Sequence, residues 1–130
     1  MSGEKIYISF PFDETAGNTA EEYFGFDERV ELVGATYTDK DGVAANNSNY
    51  LVITLENSDG SKVYFSHDTR AANQGAITAK TPTALAAGAN VNENIIDAGT
   101  CLAVKSVPAG SGKAMDGTIT VIAKKARLFS

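Results

Sequence analysis

Alternation of apolar side chains along short extended segments is the feature that most limits the fold of this chain. Residues 50–56 and 62–66 both repeat with a period of two, which places every second side chain on the same face of a β-strand. The segment between them ends in Asp59-Gly60, and Asp-Gly between two alternating segments is the strongest short-range signal for a hairpin. The sequence therefore predicts a hairpin here. The predicted inward side chains are Leu51, Ile53, Leu55, Val63 and Phe65.

The same period recurs along the rest of the chain, and no segment shows the 3.6-residue period of an amphipathic helix. Six further strands are predicted at residues 5–10, 20–26, 30–38, 81–86, 100–107 and 117–125, with Pro11 closing the first. In the third, Val33, Ala35 and Tyr37 are predicted to share one side. Residues 108–116 are predicted to be a flexible connection.

About eight short strands joined by several long connections predict an all-β fold, a single antiparallel β-sandwich of the jelly-roll type. A length of 130 residues corresponds to one domain, which spans residues 1–130. A short N-terminal lead at 1–5 and a C-terminal tail at 126–130 flank the sandwich.

Charge and composition exclude several classes of partner. A net charge of −5 argues against nucleic acid, whose phosphates require clustered Lys and Arg. Apolar segments are much shorter than the roughly 20 residues that span a bilayer, and the N-terminus lacks the pattern of a secretory signal, so no membrane association is expected. The single cysteine, Cys101, excludes an intrachain disulfide framework and is expected to be a small buried core residue.

The charge is unevenly distributed along the chain. Residues 1–31 hold eight acidic side chains against two basic ones, whereas Lys124, Lys125 and Arg127 form a small basic cluster near the C-terminus. This polarity is compatible with a solvated acidic face, with a charged partner, or with contacts between copies of the chain.

Side chains suited to catalysis are sparse. The only histidine is His67, and its neighbours Ser66 and Asp68 would point to the opposite face of a strand, so the three cannot form a relay. His67 is expected at the surface. Asp39 and Asp41 lack the ligand spacing of a calcium loop and are interpreted as a turn, although a loose cation site there stays open. The chain is predicted not to be an enzyme and to bind no cofactor.

Aromatic side chains are concentrated near the N-terminus. Six of the eleven lie within the first 26 residues, namely Tyr7, Phe10, Phe12, Tyr23, Phe24 and Phe26. These rings either fill the core opposite an alanine-rich half of the chain or anchor an interface. The candidate partner-binding residues are Tyr23, Phe24 and Phe26.

Five segments carry a resemblance to a known family. They are Glu-Glu-Tyr-Phe-Gly-Phe at 21–26, Val-Glu-Leu-Val-Gly-Ala at 30–35, Thr-Pro-Thr-Ala-Leu at 81–85, Ile-Asp-Ala-Gly-Thr-Cys-Leu-Ala-Val at 96–104, and Thr-Ile-Thr-Val at 118–121. In their order, glycine placement and composition, they resemble the small β-sandwich decoration (cement) proteins of tailed-bacteriophage capsids. The resemblance covers most of residues 4–125 and includes no catalytic signature.

The resemblance implies a non-enzymatic virion protein made in the host cytoplasm and bound to the capsid exterior. Its partners would be the major capsid protein and further copies of itself, commonly in a homotrimer that clamps neighbouring capsid subunits and stabilises the head. The alternative is a phage tail or baseplate module, or a bacterial binding module, that recognises glycan or protein.

Overall fold

Alternating segments of the sequence form two antiparallel sheets that pack face to face. The computed structural model describes residues 5–13, 19–110 and 116–126. Within these residues the strands are β1 (Lys5–Asp13), β2 (Ala20–Phe24), β3 (Val30–Asp39), β4 (Tyr50–Asn57), β5 (Val63–Asp68), β6 (Thr83–Ala84), β7 (Ala86–Ala87), β8 (Ile95–Ile96), β9 (Leu102–Ala109) and β10 (Asp116–Lys125). A 3₁₀ turn occupies Val91–Glu93.

The strand order is that of a jelly roll. Sheet A has the order β1-β10-β3-β6, with β8 also pairing β3, and sheet B has the order β2-β9-β4-β5-β7. Working outward from the β4–β5 hairpin, β3 pairs with β6 and β8, β2 pairs with β9, and β1 pairs with β10, so successive pairs alternate between the sheets. The predicted antiparallel sandwich of jelly-roll type is confirmed, with ten strands in the described residues instead of about eight.

The core lies between the sheets and is built largely from the predicted inward positions. Leu51, Ile53 and Leu55 of β4 are fully buried. Ile119 and Val121 of β10 face them from sheet A and are equally buried. Burial of each such side chain stabilises the fold by about 1.5–3 kcal/mol.

The sequence prediction for β3 was wrong at Val33. Ile122 of β10 pairs with Gly34, and the next residue, Ala123, pairs with Leu32, so Val33 is the extra residue of a β-bulge. A bulge reverses the alternation of faces beyond it. Leu32 is therefore buried and Val33 is 38% exposed.

A second bulge changes the predicted hairpin. Leu55 pairs with Phe65 and Glu56 with Val63, which leaves Tyr64 as the extra residue. Phe65 and Tyr64 are buried, whereas Val63 is only half-buried. The turn itself follows the prediction, because Gly60 adopts a φ of +77°, a left-handed conformation that glycine accepts without strain.

Pro11 does not close the first strand, which continues to Asp13. The amide of Lys40 donates to the carbonyl of Asp116, so in this part of β10 the N–H and C=O groups of even-numbered residues point towards β3 and those of odd-numbered residues point towards β1. The odd-numbered residues of β10 lie opposite even-numbered residues of β1, as in the pair Phe12–Gly117, so the even-numbered residues of β1 make the hydrogen bonds to β10. Pro11, which lacks an N–H, therefore faces the open edge of the sheet, where proline is tolerated.

The predicted strand at 81–86 divides between the sheets. β6 pairs with β3 in sheet A, and β7 pairs with β5 in sheet B. Leu85 lies at the crossing, buried, and its amide donates to the carbonyl of Ala35. Of the connection predicted at 108–116, residues 108 and 109 belong to β9, and 111–115 lie outside the described residues.

Candidate interaction surfaces

The three candidate anchors occupy different environments. Phe24 packs its ring 5.0 Å from that of Phe10 and 5.9 Å from that of Phe26, measured between centroids. Because Phe10 lies on β1 and Phe24 on β2, this cluster joins the two sheets along one side of the sandwich. Phe26 is buried, whereas Tyr23 is 50% exposed. Tyr23 is thus the one of the three that presents its ring to solvent.

Tyr23 lies among charged side chains on the outer face of sheet B. Its hydroxyl donates to Glu21 Oε2 at 2.7 Å, and this hydrogen bond raises the pKa of Tyr23. Lys105, which pairs with Glu21 across β2 and β9, lies 2.9 Å from Glu56 Oε1, and that contact raises the Lys105 pKa. Thr54 Oγ1 donates to the other Glu56 oxygen at 2.9 Å. We call these five side chains the Tyr23 surface.

Part of the charge polarity of the sequence is neutralised within the chain. Lys125 lies 3.4 Å from Glu28, and Lys124 lies 3.9 Å from Glu31. Such exposed pairs contribute little stability. Glu22, by contrast, is exposed on β2 beside Tyr23, so the acidic character predicted for the N-terminal third is retained along this strand.

The outer face of sheet A differs strongly from that of sheet B. Three of the five exposed large hydrophobic side chains of the described residues lie here: Tyr7 at 61%, Val33 at 38% and Ile95 at 43% exposure. Threonines surround them, and Thr120 shares a 2.9 Å hydrogen bond with Ser9. We call this the sheet A outer face. Its side chains are Lys5, Tyr7, Ser9, Pro11 and Asp13 of β1, Asp116, Thr118, Thr120, Ile122 and Lys124 of β10, Glu31, Val33, Gly34, Thr36 and Thr38 of β3, and Ala84 and Ile95.

The prediction that His67 lies at the surface was wrong. His67 pairs with Ile53 and is 3% exposed, so it faces the core. Its Nε2 contacts the Gly75 carbonyl at 2.9 Å, while Nδ1 has no hydrogen-bond partner within the described residues. The two-residue spacing from inward-facing Phe65 was the signal that could have predicted this. Asp68 faces the other side of β5 and binds Arg70, so the structure does not bring the two together as a catalytic pair.

Asp39 has a structural role. It is fully buried, its Oδ1 accepts the Tyr37 hydroxyl at 2.5 Å, and its Oδ2 accepts the amide of Asp41 at 3.1 Å. Burial, followed by the hydrogen bond to Asp39, raises the pKa of Tyr37. These contacts support the turn interpretation. Among residues 5–13, 19–110 and 116–126, no three His, Cys, Asp or Glu side chains are grouped so that they could share a metal ion.

Cys101 is exposed, contrary to the expectation of a core residue. It immediately precedes Leu102, the first inward residue of β9, so the alternation turns Cys101 outward.

The loop between β3 and β4 and the loop that follows β5 form a polar cluster at one end of the sandwich. The Arg70 guanidinium stacks 4.4 Å above the Tyr50 ring centroid and also binds Asp68. The Oδ1 of Asn47 accepts the amide of Ala71 at 3.0 Å, which joins the two loops. Exposed Asn and Gln side chains continue along both loops at Asn46, Asn47, Asn49, Asn73 and Gln74.

Comparison of the chain with protein-family models, curated proteins and solved structures finds no match in any of the three. Within the described part of the chain, no helix has the length and apolarity required to cross a membrane.

Proposed function

We propose that this protein is a non-enzymatic structural component of a tailed-bacteriophage virion, which binds the outer surface of the capsid and stabilises the head. The proposal rests on the resemblance of five sequence segments to capsid decoration proteins, together with the fold. Jelly rolls occur in viral capsid and lectin domains, so the fold is compatible with a binding role without specifying a partner.

The observation that carries the proposal is the exposure of Tyr23 on an open edge strand. Within the part of the chain that the structure describes, β2 is an edge strand that pairs only with β9. Tyr23 and Glu21 lie on its outer face, and Glu22 is exposed between them on the other face. Exposed tyrosines are enriched among the residues that dominate protein interfaces. Acidic neighbours select a basic partner surface and fix the orientation of docking. The Tyr23 surface is therefore the proposed contact with the major capsid protein.

Binding as a symmetric oligomer would supply the stabilising effect. The resemblance implies a homotrimer on the capsid exterior, and a trimer engages several capsid subunits at once. Linked contacts raise the overall affinity far above that of one contact, and they resist separation of the subunits that they bridge. No bond is made or broken in this mechanism.

Cosedimentation with expanded capsids that lack decoration protein, from the phage that encodes this chain, tests the proposal. We expect wild type to cosediment at saturating stoichiometry. Tyr23→Ala should bind at least about 30-fold more weakly, since loss of a central anchor costs 2 kcal/mol or more. Tyr7→Ala serves as the control, because it makes the same substitution at an exposed tyrosine on the opposite sheet, and it should bind capsids like wild type. Absence of cosedimentation by wild type would refute the capsid role.

A glycan-binding module is the second candidate, and the polar loop cluster favours it. Amide and guanidinium groups hydrogen-bond sugar hydroxyls, and tyrosine rings pack against the apolar face of a sugar. Here two joined loops hold such groups at one end of the sandwich. Binding to immobilised glycans that is lost in Asn47→Ala, with no binding to capsids, would select this alternative.

A further inference from the structure

The sheet A outer face has a charge pattern that is complementary to itself. Among the strand residues of this face that the structure describes, charged side chains lie only at the two ends of the strands: Lys5, Lys124 and Glu31 at one end, and Asp13 and Asp116 at the other. These strand residues give one end a net charge of +1 and the other a net charge of −2. These ends lie about 27 Å apart, the length of eight residues of extended strand.

Between the charged ends the face is uncharged. The central row crosses the sheet as Ser9–Thr120–Thr36–Ala84. The rows beside it are Tyr7–Ile122–Gly34 and Pro11–Thr118–Thr38. The outer face of sheet B, in contrast, carries three neighbouring charged side chains, Glu21, Lys105 and Glu56, on the adjacent strands β2, β9 and β4. Exposed apolar groups on a face without central charges are typical of protein interfaces.

We infer that the sheet A outer face binds the same face of a second copy of this chain, with the strands of the two copies antiparallel. The two-fold axis of this contact lies in the interface between the two copies. It runs perpendicular to the strands, along the central row Ser9–Thr120–Thr36–Ala84. This inference is independent of the capsid role, since it uses the sheet opposite the Tyr23 surface.

The antiparallel arrangement follows from the positions of the charges. Rotation about this axis places Lys5 over Asp13 of the second copy, and Lys124 over Asp116 of the second copy. It also places the Tyr7 ring over Pro11 of the second copy, so that apolar groups meet apolar groups. A parallel arrangement would superimpose the two basic ends and the two acidic ends, and like charges in an interface disfavour the wrong orientation.

The size of the face predicts a reversible contact. Three long strands at normal spacing, together with the two-residue strands β6 and β8, cover roughly 450 Å² per copy, or roughly 900 Å² in total. Stable interfaces usually bury 1,200–2,000 Å² in total, so this contact lies below that range, where weak and transient complexes are found. We therefore expect association that depends on protein concentration. The mass should double whether the associating species is a monomer or an oligomer, such as a trimer, that forms through a different surface.

Sedimentation equilibrium of the full chain across a wide concentration series tests the inference. Wild type should double in mass as concentration rises, and Tyr7→Asp should weaken this association at least about tenfold. Val107→Asp is the matched control: Val107 is 48% exposed on the outer face of sheet B, so this variant should associate like wild type. A wild type that never doubles in mass, or a Val107→Asp variant as impaired as Tyr7→Asp, would overturn the inference.

Charge reversal tests the orientation separately. Lys5→Glu should weaken association by roughly three- to tenfold, because exposed ion pairs are individually weak and two of them are lost per dimer. The double variant Lys5→Glu with Asp13→Lys restores opposite charges across the axis and should associate like wild type. A double variant as weak as the single one, or weaker, would refute the antiparallel arrangement.

The two proposals fail separately. A wild-type protein that binds capsids but does not double in mass contradicts this inference alone. A wild-type protein that doubles in mass but does not bind capsids contradicts only the proposed function.

Discussion

Replacement of Tyr37 by phenylalanine tests the role assigned to the buried Tyr37–Asp39 contact. The Tyr37 hydroxyl donates to the fully buried Asp39 carboxylate and accepts the amide of Asp116 at 3.0 Å. Phenylalanine preserves the ring and removes both contacts. A hydrogen bond to a charged group contributes about 1.5–3 kcal/mol, and leaving a second buried group short of a partner adds to the loss. We therefore expect the free energy of unfolding to fall by about 2–4 kcal/mol.

Urea denaturation at neutral pH measures this loss. For a domain of this size the dependence on denaturant is about 2 kcal/mol per molar urea, so the midpoint should fall by about 1–2 M with an unchanged slope. Tyr64→Phe provides the matched control. Tyr64 is also buried, and its hydroxyl makes no hydrogen bond within the described residues, so its removal should change stability by less than about 0.5 kcal/mol. Equal losses in the two variants would refute the reasoning.

Three further predictions concern the interior. Ile53→Asp would bury an unpaired carboxylate in the centre of sheet B and should cost several kcal/mol, whereas Val107→Asp should melt near wild type in a thermal scan; similar melting of the two would contradict the assignment of faces. Ser106→Ala removes a buried hydroxyl without a partner in the described residues, so urea denaturation should show unchanged or increased stability, and a loss above about 1 kcal/mol would oppose this. The pKa of Tyr37 is raised in the folded protein, so the stability that its neutral hydroxyl contributes is complete below about pH 10 and is lost at higher pH, where the unfolded chain ionises. The free energy of unfolding should therefore fall above about pH 10, and it should fall less steeply with pH in Tyr37→Phe than in wild type.

The sequence predicts most of the sandwich because each long strand carries its own alternation. The turn between β4 and β5 and the inward face of β4 were predicted correctly from local pattern alone, whereas the bulge at Tyr64 leaves Val63, which was predicted to point inward, only half-buried. Errors arose where the alternation is interrupted. The bulge at Val33 reverses the faces of β3, and no local residue signals it, since the extra residue exists only in relation to β10.

Tertiary context also decided the positions that sequence reasoning placed incorrectly. Pro11 was interpreted as the end of a strand, but an edge strand tolerates proline when its nitrogen faces outward. The short strands β6, β7 and β8 carry too few residues to show a period, and they form by pairing with strands distant in the sequence. Of the candidate anchors, alternation along the strand predicted at 20–26 places Phe24 and Phe26 on one face and Tyr23 on the other, in agreement with the burial of Phe26 and the exposure of Tyr23.

Cryo-electron microscopy of expanded capsids incubated with the purified protein tests the central claim most directly. We expect added density on the capsid exterior at three-fold or quasi-three-fold positions, with the Tyr23 surface against the capsid and the sheet A outer face turned away from it. Capsids without added density at saturating protein, or density in which the sheet A outer face lies against the capsid, would contradict it.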